Sequence, residues 1–277
     1  MLSINDHSRD SAGLTYVYPV VSRRAGGVSV GINLNPNNAC NWACMYCQVP
    51  GLTRGAPPPV DLALLEQELR GFLHEAVAGD YLSRHAPPEA RRLVDVAFSG
   101  NGEPTSEARF DESVACVERV LESFGLLKAL KIRLITNGSL MHRPAVRQGI
   151  ARIGRLDGEV WFKIDRATSA GVQQVNGVPF SLERTRDALI QCAELAPTWA
   201  QTCWFALDGQ VADETEQRAY LDLIDGVKDK IKGVLLYGLA RPSLQPEAER
   251  LSPLAPEIFQ AFSDRLVALG VKVIATP

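Results

Sequence analysis

Six cysteines carry most of the chemistry visible in this 277-residue chain: Cys40, Cys44, Cys47, Cys116, Cys192 and Cys203. Three of them crowd together as C-x3-C-x2-C, and three are scattered. In a chain without a visible secretory leader, the crowded set reads as a metal or redox site rather than a disulfide framework. Three thiolates on one short loop can hold three corners of an iron–sulfur cube or three positions of a tetrahedral zinc. Structural zinc is closed by four protein ligands. The histidines closest in sequence are His7 and His74, and neither is near the triplet. The site is therefore expected to stay open by one position, as suits a metal that binds a substrate. Cys116 (in VACVERV), Cys192 (in IQCAEL) and Cys203 (in TCWFAL) read as small apolar core residues. No later cysteine cluster points to a second iron–sulfur site.

The triplet needs a scaffold, and the pattern around it supplies one. Apolar strand-like runs alternate with amphipathic helical stretches. Strands are expected at 27–35, 95–99, 131–136, 159–164, 201–207 and 233–239, with a short closing strand at 271–275. The segment 15–21 reads as an additional edge strand, because Pro19 is unsuited to a central one. Helices are expected at 61–77, with Asp61 as N-cap, and at 111–124, 182–195, 214–227 and 257–269. Strands alternating with helices argue for a parallel sheet with helices outside. In such sheets ligands collect at the C-terminal ends of the strands. The polar motifs obey that rule. The cysteines follow the first core strand, Ser99-Gly100-Asn101-Gly102-Glu103-Pro104 the second, and Thr136-Asn137-Gly138 the third. Lys163 and Asp165 end the fourth, and Tyr237 and Arg241 lie at the end of the sixth. Trp161, Phe162, Trp204 and Phe205 are expected in the core.

Composition bounds the reading. With 46% hydrophobic and 22% charged residues, the chain is an ordinary globular protein. These fractions exclude a disordered tail, a collagen-like repeat and a small disulfide-stapled domain. A net charge of −3 gives no support to a nucleic-acid partner. The apolar runs fall short of the ~20 residues that a membrane span needs. The opening MLSINDHSRD has no apolar leader core, so a cytoplasmic location is expected.

The triplet with Tyr46 before its last cysteine, then FSGNGEPT, ITNGS and FKID in that order, resembles the radical S-adenosylmethionine (radical SAM) superfamily. The likeness runs from about Val28 to the C-terminus. It implies an α/β fold, a partial (β/α)6 TIM-like barrel of parallel strands, with residues 1–26 as an N-terminal extension and 27–277 as the core domain. It also implies that Cys40, Cys44 and Cys47 ligate a [4Fe–4S] cluster whose remaining iron binds S-adenosylmethionine. Tyr46 would lie near the adenine. Gly100, Asn101, Gly102 and Glu103 match the motif that holds the methionine amino group. Thr136, Asn137, Lys163 and Asp165 match positions for the methionine carboxylate or the ribose, and Tyr237 for the adenine.

The expected activity is reductive cleavage of S-adenosylmethionine to a 5′-deoxyadenosyl radical, which abstracts hydrogen from an unidentified substrate. The electron would come from a donor such as flavodoxin or ferredoxin. Within the superfamily, FSGNGEPT, ITNGS and LYGLARPS are most similar to the single-cluster branch of wyosine-type tRNA-modifying enzymes. Glycyl-radical or peptide activation is the alternative enzymatic reading, and a zinc or electron-transfer module the non-enzymatic one.

Overall fold

Eight strands follow one another across a single sheet in the order in which they occur in the chain. They are β1 (Val17–Ser22), β2 (Gly27–Ile32), β3 (Leu93–Phe98), β4 (Lys131–Thr136), β5 (Glu159–Lys163), β6 (Thr198–Cys203), β7 (Gly233–Tyr237) and β8 (Val273–Thr276). The computed structural model describes residues 2, 12–22 and 26–277. His7 and nearly all of the first ten residues, read above as free of a leader, lie outside the described residues. β1 runs antiparallel to β2, and every later neighbour is parallel. Ser22 of the first strand and Thr276 of the last line one cavity, so the sheet curls into a half-barrel. This is the expected partial barrel, with the predicted edge and closing strands completing its two margins.

Alternation along the strands separates two environments. Outward residues such as Val30, Val96, Phe98, Leu134, Phe162 and Leu236 are buried in the main core. They meet the apolar faces of α1 (Leu62–Val77), α2 (Phe110–Ser123), α3 (Pro144–Arg155), α5 (Leu182–Leu195), α6 (Glu214–Asp225) and α7 (Pro256–Ala268), while α4 (Ser169–Asn176) stands by the barrel mouth. Inward residues form the lumen. Its floor is closed by Trp161, Trp199 and Leu235. Arg133 joins this floor from β4, paired with Asp95 and Glu159 and stacked 5.2 Å from the Trp161 ring.

Two departures from the sequence reading have physical causes. The fifth core strand is Thr198–Cys203, not 201–207. Trp204 leaves the ladder and stacks on Phe262 at 3.9 Å, and Ala206–Leu207 pairs instead with Leu251–Ser252. Helices α3 and α4 were not expected. In α3 the glycines mark close packing rather than a break. A Cβ at Gly149 would stand 2.6 Å from the Phe110 ring, and one at Gly154 would stand 2.1 Å from the Leu195 carbonyl oxygen.

The predicted α1 is capped as expected: Asp61 Oδ1 accepts from the Ala63 and Leu64 amides, each at 3.0 Å. The same helix buries one acid on its apolar face. Glu68 is 8% exposed and accepts from the amides of Thr15, Tyr16 and Val17 at 2.8, 2.7 and 3.2 Å. It thereby pins the start of β1 to the barrel. Glu68→Ala leaves the buried Tyr16 and Val17 amides and the part-buried Thr15 amide without an acceptor. An unsatisfied buried donor costs about 1–3 kcal/mol, so a loss of roughly 3 kcal/mol is expected. Urea denaturation checks this; an unchanged midpoint would remove Glu68 from that role.

Candidate active site

The cysteine loop leaves the end of β2 and crosses the mouth of the barrel. Its first arm is tied down where Ala39–Cys40 pairs with Thr53–Arg54. The backbone of α4 holds its middle: the Ala43 and Met45 amides donate to the Asn176 and Val175 carbonyls at 3.0 and 2.9 Å. Its last arm is latched by the segment after β7. The Cys47 carbonyl accepts from the Leu244 amide at 3.0 Å, Ser243 Oγ at 3.2 Å and Gln245 Nε2 at 3.1 Å. Ser243 Oγ also donates to the Met45 carbonyl at 2.7 Å, and Gln245 Nε2 to the Val49 carbonyl at 2.8 Å. Cys40, Cys44 and Cys47 are all free and half-buried. Among the described residues, no three His, Cys, Asp or Glu side chains are gathered closely enough to hold one metal ion.

Burial pushes the Cys40 thiol up to about 11, with the Trp42 amide opposing the rise and Glu103 and Cys47 adding to it. Burial likewise lifts Cys44 to about 12, opposed by Lys163 and reinforced by Asp165. A cationic metal centre reverses this preference, since thiols lose their protons on ligation.

The second motif follows β3. Gly102 lies against the cysteine loop so closely that a Cβ there would be 2.1 Å from the Ala39 carbonyl oxygen. Asn101 is oriented by two asparagines: its amide donates to Asn33 Oδ1 at 3.0 Å and its Nδ2 to Asn38 Oδ1 at 2.7 Å. Asn101 Oδ1 is buried and has no hydrogen-bond partner. Glu103, 3% exposed, is fully engaged by protein. Its Oε1 accepts from Thr105 N at 3.2 Å, and from Thr105 Oγ1 and Thr136 Oγ1 at 2.6 Å each; its Oε2 accepts from the Asn137 amide at 2.7 Å. Burial raises the Glu103 carboxyl above its ordinary range, and these donors pull it back. The acid therefore joins the glycine loop to the end of β4. Asn137 Nδ2 in turn donates to Asn41 Oδ1 of the cysteine loop at 2.9 Å.

The third group sits at the ends of β5 and β7. Tyr46 Oη donates to Asp165 Oδ2 in a short hydrogen bond. Asn176 Nδ2 bridges the same oxygen at 2.8 Å and Cys44 Sγ at 3.2 Å. Asp165 Oδ1 accepts from the Cys203 amide at 3.0 Å. Lys163 Nζ lies 3.9 Å from Asp165, 3.4 Å from Tyr237 Oη and 4.9 Å from the Tyr46 ring centre. Burial opposes the Lys163 charge, but Asp165, Tyr237, Cys44 and Cys203 together outweigh it and hold the ammonium well above its ordinary range. Glu216 of α6 steadies this loop from behind, accepting from the amides of Ala167 and Thr168.

One cavity of about 310 Å³ gathers Cys40, Cys44, Cys47, Tyr46, Gly100, Asn101, Gly102, Glu103, Asn137, Lys163 and Tyr237 along its wall. Thr136 and Asp165 stand behind that wall, Thr136 bound to Glu103 and Asp165 to Tyr46. Arg241 lines the same cavity and donates from Nη1 to Gln48 Oε1 at 3.0 Å. Cys116 and Cys192 are fully buried as expected. Cys203 is buried too, but it also borders the cavity. Gln48, Gln201, Ser243 and Gln245 escaped the sequence reading. Each is a neutral polar residue in a short stretch whose spacing carries no signal.

The donor set fits a cluster with a nucleoside beside it: three thiols face the cavity, and an acceptor without a protein partner, Asn101 Oδ1, sits on the same wall. The latch yields a prediction. The double change Ser243→Ala and Gln245→Ala should speed iron loss to a chelator by about tenfold, the scale for residues that orient metal ligands. Unchanged kinetics would separate the latch from the metal site.

Among the described residues, no helix is long and apolar enough to cross a membrane. No family model matches the chain. It is 25% identical over 166 residues to a UPF0026 protein of Helicobacter pylori, covering 57% of this chain and 48% of that one. It is 31% identical over 162 residues to a UPF0026 protein of Methanocaldococcus jannaschii, covering 53% and 43%. The chain thus spans about half the length of the curated relatives it matches.

Three solved structures share the fold. TYW1 with a lysine-pyruvate adduct bound aligns with a TM-score of 0.59 at 15% identity, over 87% of this chain and 73% of that one. SuiB of Streptococcus suis bound to S-adenosylmethionine gives 0.56 at 12%, over 91% and 48%. A radical SAM methyltransferase from Sphaerobacter thermophilus gives 0.59 at 16%, over 94% and 68%.

Proposed function

The fold being that of the radical S-adenosylmethionine enzymes, we propose that this chain is one of them and modifies its substrate by hydrogen abstraction. When bound, a [4Fe–4S] cluster supplies the electron that splits the S-adenosylmethionine sulfonium and yields a 5′-deoxyadenosyl radical. The observation that carries the proposal is the convergence of three free thiols, the glycine loop and Lys163 on one cavity at the C-terminal ends of the strands. The SuiB structure, which holds S-adenosylmethionine on the same fold, supports it.

Cys40, Cys44 and Cys47 would ligate three irons. Asn101 Oδ1, which has no protein donor, takes a donor from the methionine amino group. Lys163, held charged by Asp165, meets the carboxylate as a point charge. The Tyr46 ring, fixed through Asp165, offers a flat wall for the nucleoside. Glu103 and Thr136 act as positioning residues, because their polar atoms are spent on one another and on the backbone. The protein thus orients and shields a cofactor that carries the hard chemistry. A structural zinc would need four donors drawn onto one point. The described residues offer no such group. The likeness to TYW1 supports the narrower wyosine-type reading, with an RNA base as substrate.

The test is anaerobic incubation of reconstituted protein with dithionite and S-adenosylmethionine. Formation of 5′-deoxyadenosine is expected; its absence from iron-loaded protein would overturn the proposal.

A further inference from the structure

The sulfurs of the cysteine loop receive hydrogen bonds both from backbone and from a side chain. The Trp42 amide donates to Cys40 Sγ at 3.4 Å, a contact set by the loop itself. The side-chain donor comes from far away. Asn176 Nδ2 lies 3.2 Å from Cys44 Sγ and 132 residues later in the chain.

Asn176 is the last residue of α4, and Gly177 caps the helix in the left-handed region with a φ of 66°. Asparagine at a helix end commonly serves only to stop the helix. Here the side chain is turned inward, and the residue is 1% exposed. The helix end approaches the loop so closely that a Cβ on Gly177 would stand 3.3 Å from the Ala43 carbonyl oxygen. The Asn176 carbonyl accepts from the Ala43 amide at 3.0 Å, so backbone alone docks the loop on α4. Docking therefore does not explain the carboxamide.

Its partners do. Asp165 Oδ2 accepts from the same Nδ2 at 2.8 Å and also from Tyr46 Oη. Turned over, the carboxamide would set its oxygen against a carboxylate and a sulfur, two electron-rich atoms. Asp165 thus fixes which end of the amide faces Cys44. An N–H held against a thiolate draws charge off the sulfur. Hydrogen bonds to the sulfurs are among the levers that set the potential of an iron–sulfur cluster. A reduced cluster carries one more negative charge than an oxidised one, so this bond favours the reduced form.

We propose that Asn176 is a positioning residue that raises the reduction potential of a cluster held by Cys40, Cys44 and Cys47. This rests on the function proposed above and adds a residue that the cysteine spacing does not contain. The electron comes from an external low-potential reductant, dithionite in the test below. Asn176 keeps its protons throughout, and no covalent bond forms or breaks at it.

The experiment uses full-length protein reconstituted anaerobically with iron and sulfide, without S-adenosylmethionine. Dithionite titration with redox dyes sets the potential, and electron paramagnetic resonance reads the reduced cluster. Asn176→Leu and Asn176→Val both lack the donor and differ in volume. At the potential that half-reduces the wild type, each should show a reduced-to-oxidised ratio lower by at least about threefold. That is a downward shift of about 28 mV, at roughly 59 mV per tenfold for one electron. The double change Ser243→Ala and Gln245→Ala is the structural contrast. It loosens the loop at Cys47 without removing a donor to sulfur, and it should keep the wild-type potential.

An unchanged or raised potential in a cluster-loaded Asn176 variant would overturn the proposal. So would an equal fall in the double variant, which would trace the potential to looseness of the loop. Iron loading below half of wild type in both Asn176 variants would overturn it too, by making the residue a builder of the site rather than a tuner of it. A wild type that takes up no cluster overturns the functional reading as well, whereas a loaded wild type with unshifted variants overturns this inference alone.

Discussion

Cys44→Ala is expected to abolish 5′-deoxyadenosine formation, a fall of three orders of magnitude or more, while the protein stays folded. Cys44 Sγ lies 3.2 Å from Asn176 Nδ2 and under the field of Lys163. Its burial makes the bare thiolate costly even beside Lys163 and Asn176, and a cationic centre would stabilise the ionised form. On the proposed function, the two remaining thiolates would hold two corners of a cube that would need three from protein. Iron content should drop well below the about four atoms expected of one [4Fe–4S] cluster. The fold is not expected to suffer, because the loop around Cys44 is held by backbone bonds from Ala43 and Met45 to α4. Iron analysis, product chromatography and a thermal melt together make the check. Undiminished 5′-deoxyadenosine in this variant would sink the assignment. Cys116→Ala is the control, since that thiol is buried in α2 away from the cavity.

Glu103→Ala should weaken S-adenosylmethionine binding by at least tenfold with iron content nearly intact. The carboxylate joins the glycine loop to β4 through four donors, and none of them belongs to the cysteine loop. Alanine leaves two buried amides and two hydroxyls to find other acceptors, a cost of about 3 kcal/mol or more. The loop carrying Gly100, Asn101 and Gly102 then loses its anchor, and Asn101 Oδ1 loses its aim. Glu103→Gln should fall between alanine and wild type. Hydroxyls of Thr105 and Thr136 can rotate to suit an amide, whereas the Asn137 N–H is fixed and loses its acceptor if the amide nitrogen faces it. Calorimetric titration with S-adenosylmethionine orders the three proteins. Identical affinities would show that the loop holds its shape without the acid.

Residues near one another in sequence already spelled out a large part of this molecule. The spacing of Cys40, Cys44 and Cys47, the alternation of Val28, Val30 and Ile32, and the helical repeat of Leu65, Leu69 and Leu73 are local patterns, and the structure keeps them. The placement of GNGEP and TNG directly after strands was enough to put them at one end of a parallel sheet, because strand direction fixes where the loops go. What the sequence could not determine were contacts whose partners are far apart in the chain. Ser243 meets the Met45 carbonyl across 198 residues, and Glu68 meets the Tyr16 amide across 52. A buried carboxylate and a solvated one look alike as letters; only the fold decides that Glu103 and Glu216 face backbone amides. The same holds for Trp204, which reads as strand until the Phe262 ring draws it out of the ladder, and for Asn176, which meets Cys44 across 132 residues. Periodicity is set by bonds along the chain and is therefore legible in it, whereas hydrogen-bond satisfaction depends on which distant groups the curled half-barrel brings within 3 Å or so.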